Sequence, residues 1–169
     1  MTTTHDEATT TGTEGVDADA AQVARLALAR GWSVGTAESL TSGSVASVLG
    51  AAPDAASWFR GSVVAYAREV KFHLLGVPRG PVVSEAAAVS MARGARRELR
   101  ADVVVSTTGA GGPQSEDGQP PGTVWLAVAW PGGRHAEEHH LPGDPAEVVA
   151  GATALSVRML RAALEEEAG

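Results

Sequence analysis

Ala101-Asp102-Val103-Val104-Val105-Ser106-Thr107-Thr108 places three consecutive valines between Asp102 and Ser106. A continuous apolar centre of this kind suits a strand whose two faces are both covered, as in the middle of a largely parallel sheet packed between helices. Toward the N-terminus, Ser84 is placed to cap a helix reaching about Leu99, with Ala88, Met91, Ala92, Ala95 and Leu99 on one apolar face. Toward the C-terminus, Gly109 to Gly122 is a long run of turn formers, and loops of this length inside compact chains are functional or disordered. Thr123 to Trp130 and Arg134 to Leu141 then flank Pro131-Gly132-Gly133 and read as a β-hairpin. Asp144-Pro145-Ala146-Glu147 combines an N-cap, a proline at the first helical position and the glutamate of a capping box. The helix it opens carries Val148, Ala152, Leu155 and Met159 on one face and runs into the acidic end Glu165-Glu166-Glu167.

The N-terminal half supplies the rest of the sheet. Residues 1–16 hold hardly an apolar side chain and read as a disordered tail, since they cannot offset their own ordering entropy. Val23, Leu26 and Ala27 then recur at helical spacing up to Gly31, a C-cap glycine. Trp32 to Thr36 reads as a short strand, Val45 to Leu49 as a helix closed by Ala51-Ala52-Pro53-Asp54, and Trp58 to Tyr66 as a second strand with Gly61 as a bulge. Ala67 to Leu75 follows as a short helix, ended by Gly76 and Pro78. Residues 17–169 therefore read as one domain, an α/β fold in which helices cover both faces of a mixed sheet to give a three-layer α/β/α sandwich. Strand order is not specified by this pattern, and no repeat at solenoid periods is present.

Composition narrows the function classes. The 169 residues carry a formal charge of −7, which argues against a nucleic-acid surface because phosphate backbones need clustered Lys and Arg. There is no cysteine, so disulfides, thiolate metal sites and a Cys nucleophile are excluded, and covalent catalysis must use Ser, Thr or Lys. No run approaches the roughly 20 apolar residues of a spanning helix, and no signal-peptide pattern opens the chain, so no membrane partner and a cytoplasmic location are expected.

Three groups of residues can carry chemistry. In Thr36-Ala37-Glu38-Ser39-Leu40-Thr41-Ser42-Gly43 a strand turns into a helix, and Ser39 falls at the turn. Two readings are open: Ser39, Thr41 and Ser42 cap the helix, or Ser39 is a nucleophile set near unpaired N–H groups and the positive end of the helix dipole. The glycine loop after Thr108 also follows a strand end, and ligands of open α/β sheets lie in the crevice at the carboxyl ends of strands. It matches neither the P-loop nor the dinucleotide fingerprint. Tyr66 and Lys71 stand five residues apart, about 140° on one helix, so they converge only where strand changes to helix between them. A partly buried lysine can lose its proton and act as a base, while the bland alternative is a surface lysine and a strand tyrosine. His73, His135 and the pair His139-His140 show no metal-ligand spacing and read as a solvated edge.

Taken together these stretches resemble the CinA C-terminal domain family, whose members include bacterial nicotinamide mononucleotide amidohydrolases. The resemblance rests on Ala37-Glu38-Ser39-Leu40-Thr41-Ser42-Gly43 for an AESxTGG-like motif, on Tyr66 with Lys71, and on Gly109-Ala110-Gly111-Gly112-Pro113 followed by Gly122-Thr123-Val124-Trp125. It runs in order from about Ala20 to Leu160. It implies hydrolysis of the nicotinamide carboxamide to the acid and ammonia, with no metal and no cofactor, in pyridine nucleotide recycling. Ser39 would attack the carbonyl, and Lys71 with Tyr66 would move protons. Thr41, Ser42 and Gly43 at the turn, Thr108, Gly109, Ala110 and Gly112 in the loop, and Thr123 beyond it would contact the nucleotide or its oxyanion. The family also implies a homo-oligomer, and many members carry an N-terminal pyrophosphatase-like domain for which 169 residues leave no room.

The departures from the family pattern fall at Ala56, where a Ser is usual, at Arg68, where an Asn is usual, and at Pro145 and Val149, where arginines are usual. Those arginines would be bidentate partners of a phosphate, and Arg68 is the cation left to take their place. Two functions are therefore expected as alternatives: a Ser-dependent amidohydrolase of nicotinamide mononucleotide, or a weak or silent relative that binds a nucleotide or a protein partner.

Overall fold

A computed structural model describes residues 7–166. Its elements run α1 (Glu7–Arg30), β1 (Val34–Glu38), α2 (Ser44–Ala51), α3 (Ala55–Trp58), β2 (Phe59–Val64), α4 (Arg68–Leu75), α5 (Glu85–Leu99), β3 (Val103–Gly109), β4 (Thr123–Trp130), β5 (Gly133–His140) and α6 (Pro145–Glu166). The five strands form one sheet in the order β2-β1-β3-β4-β5, with β2, β1 and β3 parallel and β4 and β5 antiparallel. The fold is α/β, a mixed sheet flanked by helices, as the valine run at 103–105 and its surroundings predict. All seven residues of β3 are buried, which its central place in the sheet requires.

Topology decides which helix lies on which face. The chain moves from β1 outward to β2 and then back across β1 to β3, and parallel crossovers are right-handed, so the two connections lie on opposite faces. One core accordingly joins α1, α2 and α6 to Val34, Val103, Val105, Val124, Leu126 and Val128. The other joins α4 and α5 to Ala37, Val104, Ala127 and Ala129. The small residues on the second face let α5 sit close. A Cβ at Gly94 would lie 2.1 Å from the Leu75 carbonyl oxygen, so α5 can meet the end of α4 only because that position has no side chain. Gly94→Ala is expected to lower stability by about 1–3 kcal/mol, overpacking outweighing the roughly 1 kcal/mol gain in helix propensity. The urea midpoint of the variant measures it, and an unchanged or higher midpoint would contradict the close approach.

Local chemistry explains most boundaries. Ser84 accepts a hydrogen bond from the Ala87 N–H at 3.2 Å and caps α5. At α6 the Glu147 N–H donates to Asp144 Oδ1 at 2.9 Å while the Asp144 N–H donates to Glu147 Oε2 at 2.7 Å, closing the capping box. The register of β1 on β2 passes from Val34 and Phe59 directly to Gly35 and Gly61, so the bulge lies where Gly61, at φ 122°, was expected to put it.

Several boundaries differ from the sequence reading, among them β2, which runs from Phe59 to Val64 and so excludes Trp58 and Tyr66. Helix α1 begins at Glu7, inside the stretch read as tail, and Val16 packs against the core; residues 1–6 lie outside the described residues. Strand β1 starts at Val34 and reaches Glu38, because pairing with β2 and β3 continues to that residue. The short α3 was not anticipated, since four residues carry too little periodicity to read. At the C-terminal end α6 is described to Glu166, and Glu167 lies outside the described residues. Among the described residues no helix is long and apolar enough to cross a membrane.

Candidate functional site

The turn after β1 is held from below. The Ser39 N–H donates to the Thr107 carbonyl at 3.0 Å, tying the end of β1 to β3. Ser42 at φ 49° and Gly43 at φ 101° then reverse the chain into α2. The first-turn N–H groups of α2 do not wait for a ligand. Those of Gly43, Val45 and Ala46 donate to the Glu38 carboxylate at 2.9, 3.2 and 2.8 Å. The hydroxyls of Thr36, Thr41 and Ser62 donate to the same group at 3.0, 2.8 and 3.2 Å. Six donors thus converge on one buried carboxylate, an acceptor-only group when ionised.

This corrects the capping reading of Ser39, Thr41 and Ser42. The N-cap of α2 is Gly43, which makes no side-chain cap bond, and Glu38 serves the helix end in place of the hydroxyls. Thr41 is instead buried between Glu38 and Thr107 Oγ1, at 2.8 Å from each, and Ser42 Oγ turns back to the Ser39 carbonyl at 3.4 Å. The α2 dipole end is therefore occupied by Glu38. The amides of Leu40 and Thr41 make no hydrogen bond among the described residues, which leaves them as the donors of the turn. The Ser39 hydroxyl likewise has no protein partner there.

Tyr66 lies in the connection between β2 and α4, past the strand end at Val64 and not within the strand as the sequence predicts, and Lys71 lies on α4, so what falls between them is the start of the helix. They meet through the backbone: Lys71 Nζ donates to the Tyr66 carbonyl at 3.0 Å, while the phenol ring is exposed. Lys71 is 2% exposed and is the bulkiest of the fully buried side chains. Its desolvation pulls the amine below its usual 10.5; Glu116 opposes that pull, Arg68 adds to it, and Asp117 opposes it again. No hydrogen bond joins Lys71 to Ser39.

Arg68, Asp117 and Thr108 hold the glycine loop against the segment before α5. Asp117 Oδ2 accepts from the Val82 and Val83 N–H groups at 2.6 and 3.1 Å, and Oδ1 pairs with Arg68. Burial pushes the Asp117 carboxyl up, but the Val83 and Val82 hydrogen bonds and the Arg68 charge outweigh it and hold the group below 3.8. Arg68 also donates to the Gly80 carbonyl at 3.2 Å and stands 4.0 Å from Glu116. Thr108 Oγ1 donates to the Val82 carbonyl at 2.6 Å.

Above the carboxyl ends of β1 and β3 opens a cavity of about 460 Å³, lined by Ser39, Leu40, Tyr66, the loop from Gly109 to Glu116, Pro145 and Val149. Of the residues singled out from sequence, Ser39, Tyr66, Gly109, Ala110 and Gly112 meet on its wall. Lys71, Thr41 and Thr108 are buried outside the lining. Ser42, Gly43 and Arg68 stand away from it, and Thr123 is wholly buried in β4 with its hydroxyl 3.4 Å from His140 Nδ1. Sequence reasoning missed Glu38 as the centre of the turn and Gln114, Ser115 and Glu116 as wall. An acidic residue at a strand end just before a hydroxyl-rich turn is the signal that would have found Glu38. On the far edge, Glu137 bridges His135 and His139 at 2.8 Å each, and no group of three or more His, Cys, Asp or Glu among the described residues is arranged to hold a metal.

Known proteins resemble this chain in sequence and fold. Residues 17–164 match the CinA C-terminal domain. A protein described as a putative competence-damage inducible protein from Lactiplantibacillus plantarum is 38% identical over 141 residues, 80% of this chain and 34% of that protein. A CinA-like protein from Frankia casuarinae is 40% identical over 124 residues, 70% of this chain and 29% of that one. The chain thus spans about a third of the length of the curated relatives it matches. Among solved structures, a competence-damaged protein (CinA) superfamily protein from Klebsiella pneumoniae superposes with a TM-score of 0.85 at 34% identity, covering 89% of this chain and 98% of that one. A CinA superfamily protein from Escherichia coli gives 0.84 at 32% identity, with 95% and 94% covered. With the match running through β1, its turn, the glycine loop and α6, the chain belongs to the CinA C-terminal domain family.

Proposed function

We propose that the chain is a Ser39-dependent amidohydrolase of nicotinamide-type carboxamides, with nicotinamide mononucleotide as the reference substrate and pyridine nucleotide recycling as the setting. The observation that carries this reading is an unpartnered hydroxyl, Ser39, on the wall of a cavity that the glycine loop completes. Ser39 Oγ adds to the carboxamide carbon, and its proton passes to the Lys71 amine, which burial biases toward the neutral form. The developing oxyanion takes the Leu40 and Thr41 amides. Collapse of the tetrahedral intermediate expels ammonia with the proton that Lys71 held. Water then cleaves the acyl-serine, one of its protons returning to Ser39 Oγ and the other passing through Lys71 to solvent, where it converts the released ammonia to ammonium, giving the carboxylate and free Ser39. Tyr66 borders the same space and contributes its backbone carbonyl to hold Lys71.

Ser39→Ala should abolish ammonia release from nicotinamide mononucleotide while leaving the melting temperature within about a degree, because the hydroxyl it removes makes no hydrogen bond in the protein. Unchanged turnover in the variant would sink the mechanism. One observation favours the alternative of a silent relative that binds a nucleotide or a protein partner: no hydrogen bond links Ser39 to Lys71. Calorimetric binding without turnover by the wild-type protein would establish that reading. A homo-oligomer belongs to the amidase proposal as well, with a two-fold dimer the simplest form.

A further inference from the structure

The charge of the cavity wall is unlike what a phosphate needs. Among its lining residues there is no Lys, Arg or His, and the one charged side chain is Glu116, an anion. Two basic side chains close by are engaged outside the lining. Arg68 is not in the lining: it pairs with Asp117, donates to the Gly80 carbonyl and stands 4.0 Å from Glu116. Lys71 is buried beneath Tyr66, bonded to its carbonyl. The N-terminus of α6 reaches the cavity at Pro145, which has no N–H to offer, and the Glu147 N–H is taken by the side chain of Asp144, which leaves the Ala146 amide as the donor of that turn. Asp144 and Glu147 moreover place two carboxylates at that helix end, offsetting its dipole. The whole chain carries −7.

The remaining wall suits the opposite charge. Tyr66 presents an exposed ring, 69% of the residue being accessible, and Glu116 stands on the same wall, its carboxylate 4.0 Å from Arg68 on one side and half-exposed on the other. An aromatic face together with a carboxylate attracts a flat cation. Pro145 and Val149 add an apolar surface from the first turns of α6, where a bound phosphate would lose water without gaining a partner.

We propose that this cavity selects a cationic carboxamide that bears no phosphate, so that a pyridinium nucleoside is preferred to its 5′-monophosphate. The inference rests on the amidase reading for its chemistry and on the charge of the wall for its selectivity. Val149 is the position from which phosphate is refused, because it faces the cavity from a helix and has no polar atom to offer.

The test compares nicotinamide riboside with nicotinamide mononucleotide, which differ only in the phosphate. Ammonia release should show kcat/KM at least tenfold higher for the riboside. Val149→Arg should move that ratio at least tenfold toward the mononucleotide by adding a bidentate donor at the wall. Higher kcat/KM for the mononucleotide in the wild-type protein would overturn the selectivity while upholding the amidase reading. If neither compound is hydrolysed the amidase reading fails, and calorimetry on the Ser39→Ala protein decides the selectivity alone. Riboside binding at least tenfold tighter supports it; equal or tighter binding of the mononucleotide, or binding of neither, overturns it.

Discussion

Glu38→Ala is expected to lower the stability of the protein by about 3–5 kcal/mol, the scale of breaking a buried hydrogen-bond network. The estimate follows from what the carboxylate holds. Three N–H groups at the start of α2 and three hydroxyls from β1, the turn and β2 all donate to it, and Glu38 is fully buried. Each donor left buried without an acceptor costs about 1–3 kcal/mol, and relaxation of α2 toward water recovers part of the sum. Against a total stability of order 5–15 kcal/mol this is a large share. In a chain of this size it corresponds to a fall in melting temperature of about 10 °C or more. Glu38→Gln separates charge from shape. It keeps one acceptor oxygen but turns an NH2 toward N–H donors, so a smaller loss, about 2 kcal/mol, is expected. Because Ser39 is the next residue, Glu38→Gln should also depress turnover in protein that remains folded by circular dichroism. A urea midpoint unmoved by Glu38→Ala would mean that the α2 end is satisfied by other groups.

Lys71→Met should remove ammonia release by a factor of about 10²–10⁴, the usual contribution of a general base. The same change should leave stability at pH 7 equal to or above that of the wild-type protein. The methionine fills similar space without an amine to desolvate, and Lys71 Nζ has one hydrogen-bond partner, the Tyr66 carbonyl. The pH dependence has a definite sign. The folded-state amine titrates below 10.5 while the unfolded chain holds the proton up to about 10.5, so between the two the unfolded state binds more protons and stability rises with pH. Below the folded-state value the cost of burying the charged amine is fully present. The wild-type protein should therefore gain stability relative to Lys71→Met as pH climbs through that window. Its kcat/KM should climb along the same limb as the neutral amine appears. Turnover by Lys71→Met within about tenfold of the wild type would show that Lys71 is not the base, and a stability difference flat up to pH 10.5 would show that its amine is not depressed in the folded protein.

Elements closed by short-range chemistry were legible in the chain. The Asp144-Pro145-Glu147 box, the Ser84 cap, the Pro131-Gly132 hairpin turn and the valine run of β3 each depend on neighbours within a few residues or on simple burial of both faces. The two loops at strand ends were legible for the same reason, and so was Ser39 at the turn. The surroundings of Thr108 and Thr123 were not legible, because a hydroxyl at a strand end looks the same in sequence whether it faces a ligand or a buried carbonyl. Only the pairing of β3 with β4 and the packing of residues 80–83 send Thr108 Oγ1 to the Val82 carbonyl and bury Thr123 beside His140.

The site is a product of long-range contacts. Glu38 becomes the cap of α2 because β1 pairs on both sides up to its last residue, fixing the side chain beneath the helix. Arg68 becomes a strut because Asp117, 49 residues away, is held on the Val82 and Val83 amides. Pro145 and Val149 reach the wall with Ser39 only through the packing of α6 on the sheet. Turns and caps are settled by interactions a residue makes with its own neighbours, so composition and spacing determine them. The charge and lining of the cavity were decided in the tertiary structure, because they depend on which distant side chains meet and which of those are already paired.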